Sequence, residues 1–204
     1  MFAFLAGIAA GLLHVFSGPD HLAAVAPLAS DRDRRQWLTG LQWGVGHTTG
    51  VLLIAALLLL LKEQLPLDAI SVYSERIVGA SLIMIGSWGV WRAWASAGVL
   101  GCSGAGMHAH THMGTSFAMG TIHGLAGSSH LFGVLPALAF ASRLSSLTYL
   151  AGFGLGAIAG MTAFSAAVGL LSSKLNRHSR SYSGMLYATS AVALVVGGVW
   201  LVGQ

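Results

Sequence analysis

Charge is scarce in this chain. Only 8% of its 204 residues are Asp, Glu, Lys or Arg, and 55% are hydrophobic. A soluble globular domain carries about 25% charged residues, so the shortfall excludes an ordinary soluble fold and places the chain in the membrane class. Acid is scarcer still, with none after Glu75. A path for magnesium or calcium, which favour carboxylate, carbonyl and water oxygens, finds little support. A single cysteine, Cys102, excludes an internal disulfide and a two-cysteine redox relay. His-Glu-x-x-His, Gly-x-Ser-x-Gly and Walker-type loops are all absent, so nothing marks an enzyme. The net charge of +4 comes from a few basic residues between apolar stretches, which is no nucleic-acid footprint. Met1 to Phe16 has no basic leader and runs on into a full-length span, so it is read as part of the mature protein.

What the chain does have is apolar length. A membrane-crossing helix needs about 20 mostly apolar residues. Six such stretches, near residues 2–29, 37–61, 73–94, 115–141, 147–172 and 183–203, take up the whole sequence. In lipid the backbone must satisfy its own hydrogen bonds, and Leu52 to Leu61 lacks the alternation of a barrel strand. The expected class is therefore an all-α polytopic membrane protein with six transmembrane helices. The 28 glycines fall largely inside the apolar stretches, where small residues let helices approach closely. Arg32, Arg34, Arg35, Arg92, Lys174, Arg177 and Arg180 fall on one side of this topology. Lys62, Arg76 and Arg143 fall on the other, offset by Glu63, Asp68 and Glu75. The positive-inside rule makes the first side cytoplasmic and puts both termini outside.

The chain repeats itself. Gly11, His14, Gly18, His21-Leu22, Val25 and Pro27 recur 109 residues later as Gly120, His123, Gly127, His130-Leu131, Val134 and Pro136. With one residue of drift, Gly44, Gly46 and Gly50 match Gly154, Gly156 and Gly160. Tyr73-Ser74 and Gly89-Val90-Trp91 match Tyr182-Ser183 and Gly198-Val199-Trp200. Two histidines, a proline and a tryptophan in one frame are not a chance of composition. Each half holds three spans, residues 1–95 and 115–204, joined by a His-containing loop at 96–114. An odd number of spans turns the second half upside down, giving two inverted three-helix repeats with a substrate site expected at their interface.

His14, Asp20, His21, His47, His123 and His130 lie inside the expected spans, away from their ends. Such groups are costly in a bilayer and mark ion paths or proton relays by default. His14 and His21 stand seven apart, two turns on one helix face, with Gly18 between them leaving room for an ion. Gly18-Pro19 is expected to disturb that helix and re-aim Asp20. Imidazole suits nickel, cobalt, zinc, copper or iron, and the spacing does not choose among them. Asp20 and His47 become Ser129 and Ala157 in the second half, so the first two spans hold most of the ligands. His108, His110 and His112 alternate in the central loop, a pattern that can bind metal weakly.

The segment from His14 through Asp20-His21 to Ala29, followed by Trp43-Gly-Val-Gly-His47, resembles the UreH-like branch of the nickel/cobalt permeases, the high-affinity nickel-transport proteins. The resemblance covers nearly the whole chain. It implies transport of a divalent transition-metal cation, nickel or cobalt, through a His/Asp site at the repeat interface. It also implies a multi-pass protein of a cell membrane, the bacterial cytoplasmic membrane. The metal is then a transported substrate and no cofactor is expected. The partners are the ion and the lipid bilayer, with no nucleic acid, and the oligomeric state is left open. Two alternatives stay open: an exporter of a small solute or oxyanion, and a membrane metal-delivery partner.

Overall fold

The structure is a computed structural model, described here for residues 1–30, 36–61, 67–96, 112–125, 133–137, 139–175 and 179–202. It is all-α, with no strand among the described residues. The helices are α1 (Phe2–Ser17), α2 (Pro19–Ala29), α3 (Gln36–Leu61), α4 (Leu67–Ser96) and α5 (His112–Leu125). A short segment at 133–137 (α6) follows, then α7 (Arg143–Lys174) and α8 (Arg180–Val202).

One expected span is not a single helix. The first, 2–29, breaks at Gly18 into α1 and α2, bent by 73°. Pro19 opens α2 rather than kinking a continuous helix, which suits its fixed φ and missing N–H. Of the fourth, 115–141, the described helical parts are α5 and the segment 133–137, and residues 126–132 and 138 lie outside the described residues. Among the described residues, α7 and α8 are each long and apolar enough to cross a membrane, and α1 with α2 makes a third candidate. Six clear crossings are thus not found on length and apolarity alone. The side chains of residues 57–72, within α3 and α4, lie outside the described residues. Arg92, expected in a loop, lies within α4 with its guanidinium 4.7 Å from the Trp88 ring.

Glycines set the packing. Gly7 and Gly11 face the carbonyls of Tyr149 and Phe153, and Gly152 and Gly156 face those of Phe4 and Ile8. A Cβ at any of the four would overlap a backbone oxygen. Numbering rises together on both sides, so α1 and α7 run parallel. A second seam joins α3 to α5: Gly46 faces the Phe117 carbonyl, Gly120 that of Trp43 and Gly124 that of His47. It too is parallel. The seams correspond under the sequence repeat. Gly11 against Phe153 is the counterpart of Gly120 against Trp43, and Gly156 against Ile8 is the counterpart of Gly46 against Phe117. Close backbone contacts of this kind support weak Cα–H···O bonds, worth about 0.5–1 kcal/mol each.

The third pair, α4 and α8, runs antiparallel: Gly79 meets Gly197, and Gly86 and Gly89 meet Ser190. So do α3 and α7, where Gly40 meets Met161 and Ser165, and Thr48 Oγ1 donates to the Gly154 carbonyl at 3.4 Å. Val15, Trp43, Leu82, Phe153, Met161, Tyr182 and Leu186 fill the interior. The polar logic is the reverse of a soluble protein. Asp20, His21, His47 and His123 are buried, while Leu170, Val195 and Val199 are exposed. Apolar side chains outside and ionisable ones inside define a helical membrane protein.

Candidate metal centre

The bend at Gly18 builds the centre. Its extended backbone (φ −86°, ψ 101°) ends α1 and starts α2. On a straight helix, seven residues would separate His14 from His21 by about 10.5 Å along the axis. Their ring centroids lie 4.6 Å apart. The two histidines meet because the helix breaks between them, not because they share a face, which corrects the sequence reading. Gly18 must lack a side chain: a Cβ there would overlap His21 Nδ1 and stand 2.8 Å from Asp20 Oδ1.

Asp20 lies in the first turn of α2, where the helix dipole favours a carboxylate. It is buried and shared. His21 Nδ1 donates to Oδ1 at 3.0 Å, and His123 Nε2, from α5, donates to Oδ2 at 3.1 Å. These bonds fix both tautomers, leaving His21 Nε2 and His123 Nδ1 as the nitrogens with lone pairs. A carboxylate behind a ligating histidine is the usual device for orienting it. His47 arrives from α3, with its ring centroid 4.9 Å from His21, 5.6 Å from His14 and 6.1 Å from His123.

Two sets of three ligand atoms lie within 4.8 Å of one another: His14, His21, His47, and Asp20, His21, His123. His21 belongs to both. Of the six expected residues the structure brings together His14, Asp20, His21, His47 and His123. His130 lies outside the described residues, as do His108 and His110; His112 begins α5. His21 and His47 are fully buried and His123 nearly so, whereas His14 is half-buried and lines an open cavity of about 460 Å³. Pro19, Gly133, Pro136, Tyr149 and Trp200 contribute to its walls.

Two aromatic partners were not singled out from the sequence. Phe153 packs on His14 at 5.4 Å and Trp43 on His123 at 5.8 Å. Histidines and aromatics are both repeat counterparts, so the matched offset that links the glycines could have found them. If Asp20 orients His21 and His123, Asp20→Asn should weaken metal affinity about 10–100-fold, the usual loss when a supporting carboxylate goes. Titration of the purified variant with cobalt checks this; unchanged affinity would refute the role.

Comparison with known proteins finds relatives whose names give no cargo. The chain is 35% identical over 97% of its length to chloroplast protein FOR GROWTH AND FERTILITY 2 of Arabidopsis thaliana, covering 55% of that protein. It is 34% identical over 94% of its length to FOR GROWTH AND FERTILITY 1 of the same plant, covering 56% of it. The chain thus spans about half the length of these two relatives. It is 26% identical over 94% of its length to the urease accessory protein UreH of Bacillus sp. (strain TB-90), covering 86% of that protein. No family model and no solved structure matches the chain. None of the three relatives bears an enzyme's name.

Proposed function

We propose that the chain carries a divalent transition-metal ion, nickel or cobalt, across a membrane through the cluster of His14, Asp20, His21, His47 and His123. The observation that carries the proposal is the convergence of four imidazoles and one carboxylate, from four helices of both halves, inside an apolar bundle. Nitrogen-rich donors select first-row metals over magnesium and calcium. The similarity to UreH supports the same reading over the greater part of both chains.

The architecture we propose is six crossings arranged as two inverted repeats, residues 1–95 and 115–204. The packing directions support it. Spans 1 with 5 and 2 with 4 should run parallel, and spans 3 with 6 and 2 with 5 antiparallel; α1–α7, α3–α5, α4–α8 and α3–α7 do so. The corresponding glycine seams are what an in-plane two-fold axis would produce. The Bacillus relative is named an accessory protein, which favours a second reading in which the ion is handed to a partner. Flux through the purified chain in vesicles separates the two. Radioactive nickel or cobalt accumulating without any partner supports transport. Flux of an oxyanion without metal would instead make the chain a solute exporter.

Acid should weaken binding. Only neutral imidazole ligates a metal, and imidazole ordinarily titrates near pH 6.5. Protons therefore compete for the ligating nitrogens, and affinity should fall on acidification. Cobalt titrations at successively lower pH check this; affinity indifferent to acid down to the pH at which the protein unfolds would rule out a histidine-dominated site.

A further inference from the structure

The two halves match in their seams but not around the cluster. Residues 133–137 of α6 are the repeat counterparts of residues 24–28 in α2. Val25 and Val134 are both buried. Beyond them the halves differ. Ala24 is sealed while Gly133 is half-buried; Ala26 is 7% exposed against 50% for Leu135. Pro27 is buried and Pro136 exposed. Thus α2 is docked in the bundle, packed against α8, α4 and α7. Its counterpart α6 rests on α7, where Tyr149 donates to the Gly133 carbonyl at 3.0 Å and Ser146 to that of Ala137 at 2.6 Å, but it leaves Leu135 and Pro136 exposed, and the cavity of about 460 Å³ lies between it and the α1–α2 bend. That cavity reaches His14; the counterpart histidine, His123, is sealed.

We propose a second access cavity, over His123, which opens when α2 and α6 exchange these positions. It is the repeat counterpart of the first and is walled by Ala24, Pro27, Thr39 and Trp91, the counterparts of Gly133, Pro136, Tyr149 and Trp200. Opening it requires α2 to bare Ala26 and Pro27 as α6 bares Leu135 and Pro136 in this structure, and α6 to bury its own pair as α2 does, which closes the cavity at His14. The two docks are built from equivalent helices, so one exchange interconverts two similar packings. With inverted halves the cavities open to opposite sides of the membrane. The cluster, shared by both halves, meets one side at a time. The inference rests on the inverted-repeat reading, but not on the identity of the ion.

The test uses the full chain in sealed vesicles, with Cys102→Ser as background. Pro136→Cys and Pro27→Cys are each exposed to a membrane-impermeant maleimide from either side. Pro136→Cys should label from one side. Pro27→Cys should label only from the other, roughly 10- to 1000-fold more slowly, as expected of a state populated at about 0.1–10%. In the double variant, a bulky maleimide placed first on Pro136→Cys should wedge the first cavity open and suppress labelling of Pro27→Cys. If Pro27→Cys does not fold, Ala24→Cys serves in its place. Labelling of both from one side, labelling of α2 indifferent to the wedge, or no α2 labelling in vesicles that carry the ion would overturn the exchange. Reciprocal labelling in vesicles that carry no nickel or cobalt would leave the exchange standing and remove the cargo.

Discussion

His21→Ala should reduce nickel or cobalt flux to the level of empty vesicles. His21 is the ligand common to both three-atom sets, so its loss leaves neither complete. His14→Ala and His47→Ala each dismantle one set and should also abolish flux, since the remaining donors stay buried and incomplete. The loop histidines make the contrast. Replacing His108, His110 and His112 together should weaken apparent affinity or alter regulation, yet leave flux measurable. All variants are compared at matched protein levels in reconstituted vesicles. A dead triple variant beside normal flux in His21→Ala and His47→Ala would move the site to the loop.

The second large effect is on the fold itself. Gly120→Ala and Gly11→Ala each drive a methyl into a backbone carbonyl, of Trp43 and Phe153 respectively. A carbonyl within a helix cannot turn aside as a side chain can, so the helices must separate. Overpacking of this sort costs about 1–3 kcal/mol at each site. The control is Gly198→Ala, where nothing lies within 4 Å of the added Cβ. There alanine should be neutral or stabilising by up to about 1 kcal/mol, because it is the better helix former. Thermal unfolding in one detergent, run on all three, decides the matter. A Gly120→Ala protein as stable as Gly198→Ala would mean that the seam does not hold the bundle.

The helical class was legible from the scarcity of charge, and the repeat from glycines and histidines in one frame. The break near Gly18 was legible too, because Pro19 cannot donate a backbone hydrogen bond. Its effect was not. Spacing along one helix placed His14 and His21 two turns apart, and only the 73° bend brings their rings into contact. The approach of His47 to His123 depends on the α3–α5 seam, a contact between distant segments that no local pattern encodes. Phe153 escaped notice, and Trp43 entered only as part of a motif, because a buried aromatic in an apolar span has no periodicity of its own.

The bend at Gly18 also affects how the cluster comes into being. His14, Asp20 and His21 lie on one short stretch of chain, and the turn already points them at one another. Under the proposed function, an ion caught by His14 would meet His21 at the effective concentration of a short tether, of millimolar order or above. His47 and His123, from α3 and α5, would then complete the donor set around an ion that the bend already holds.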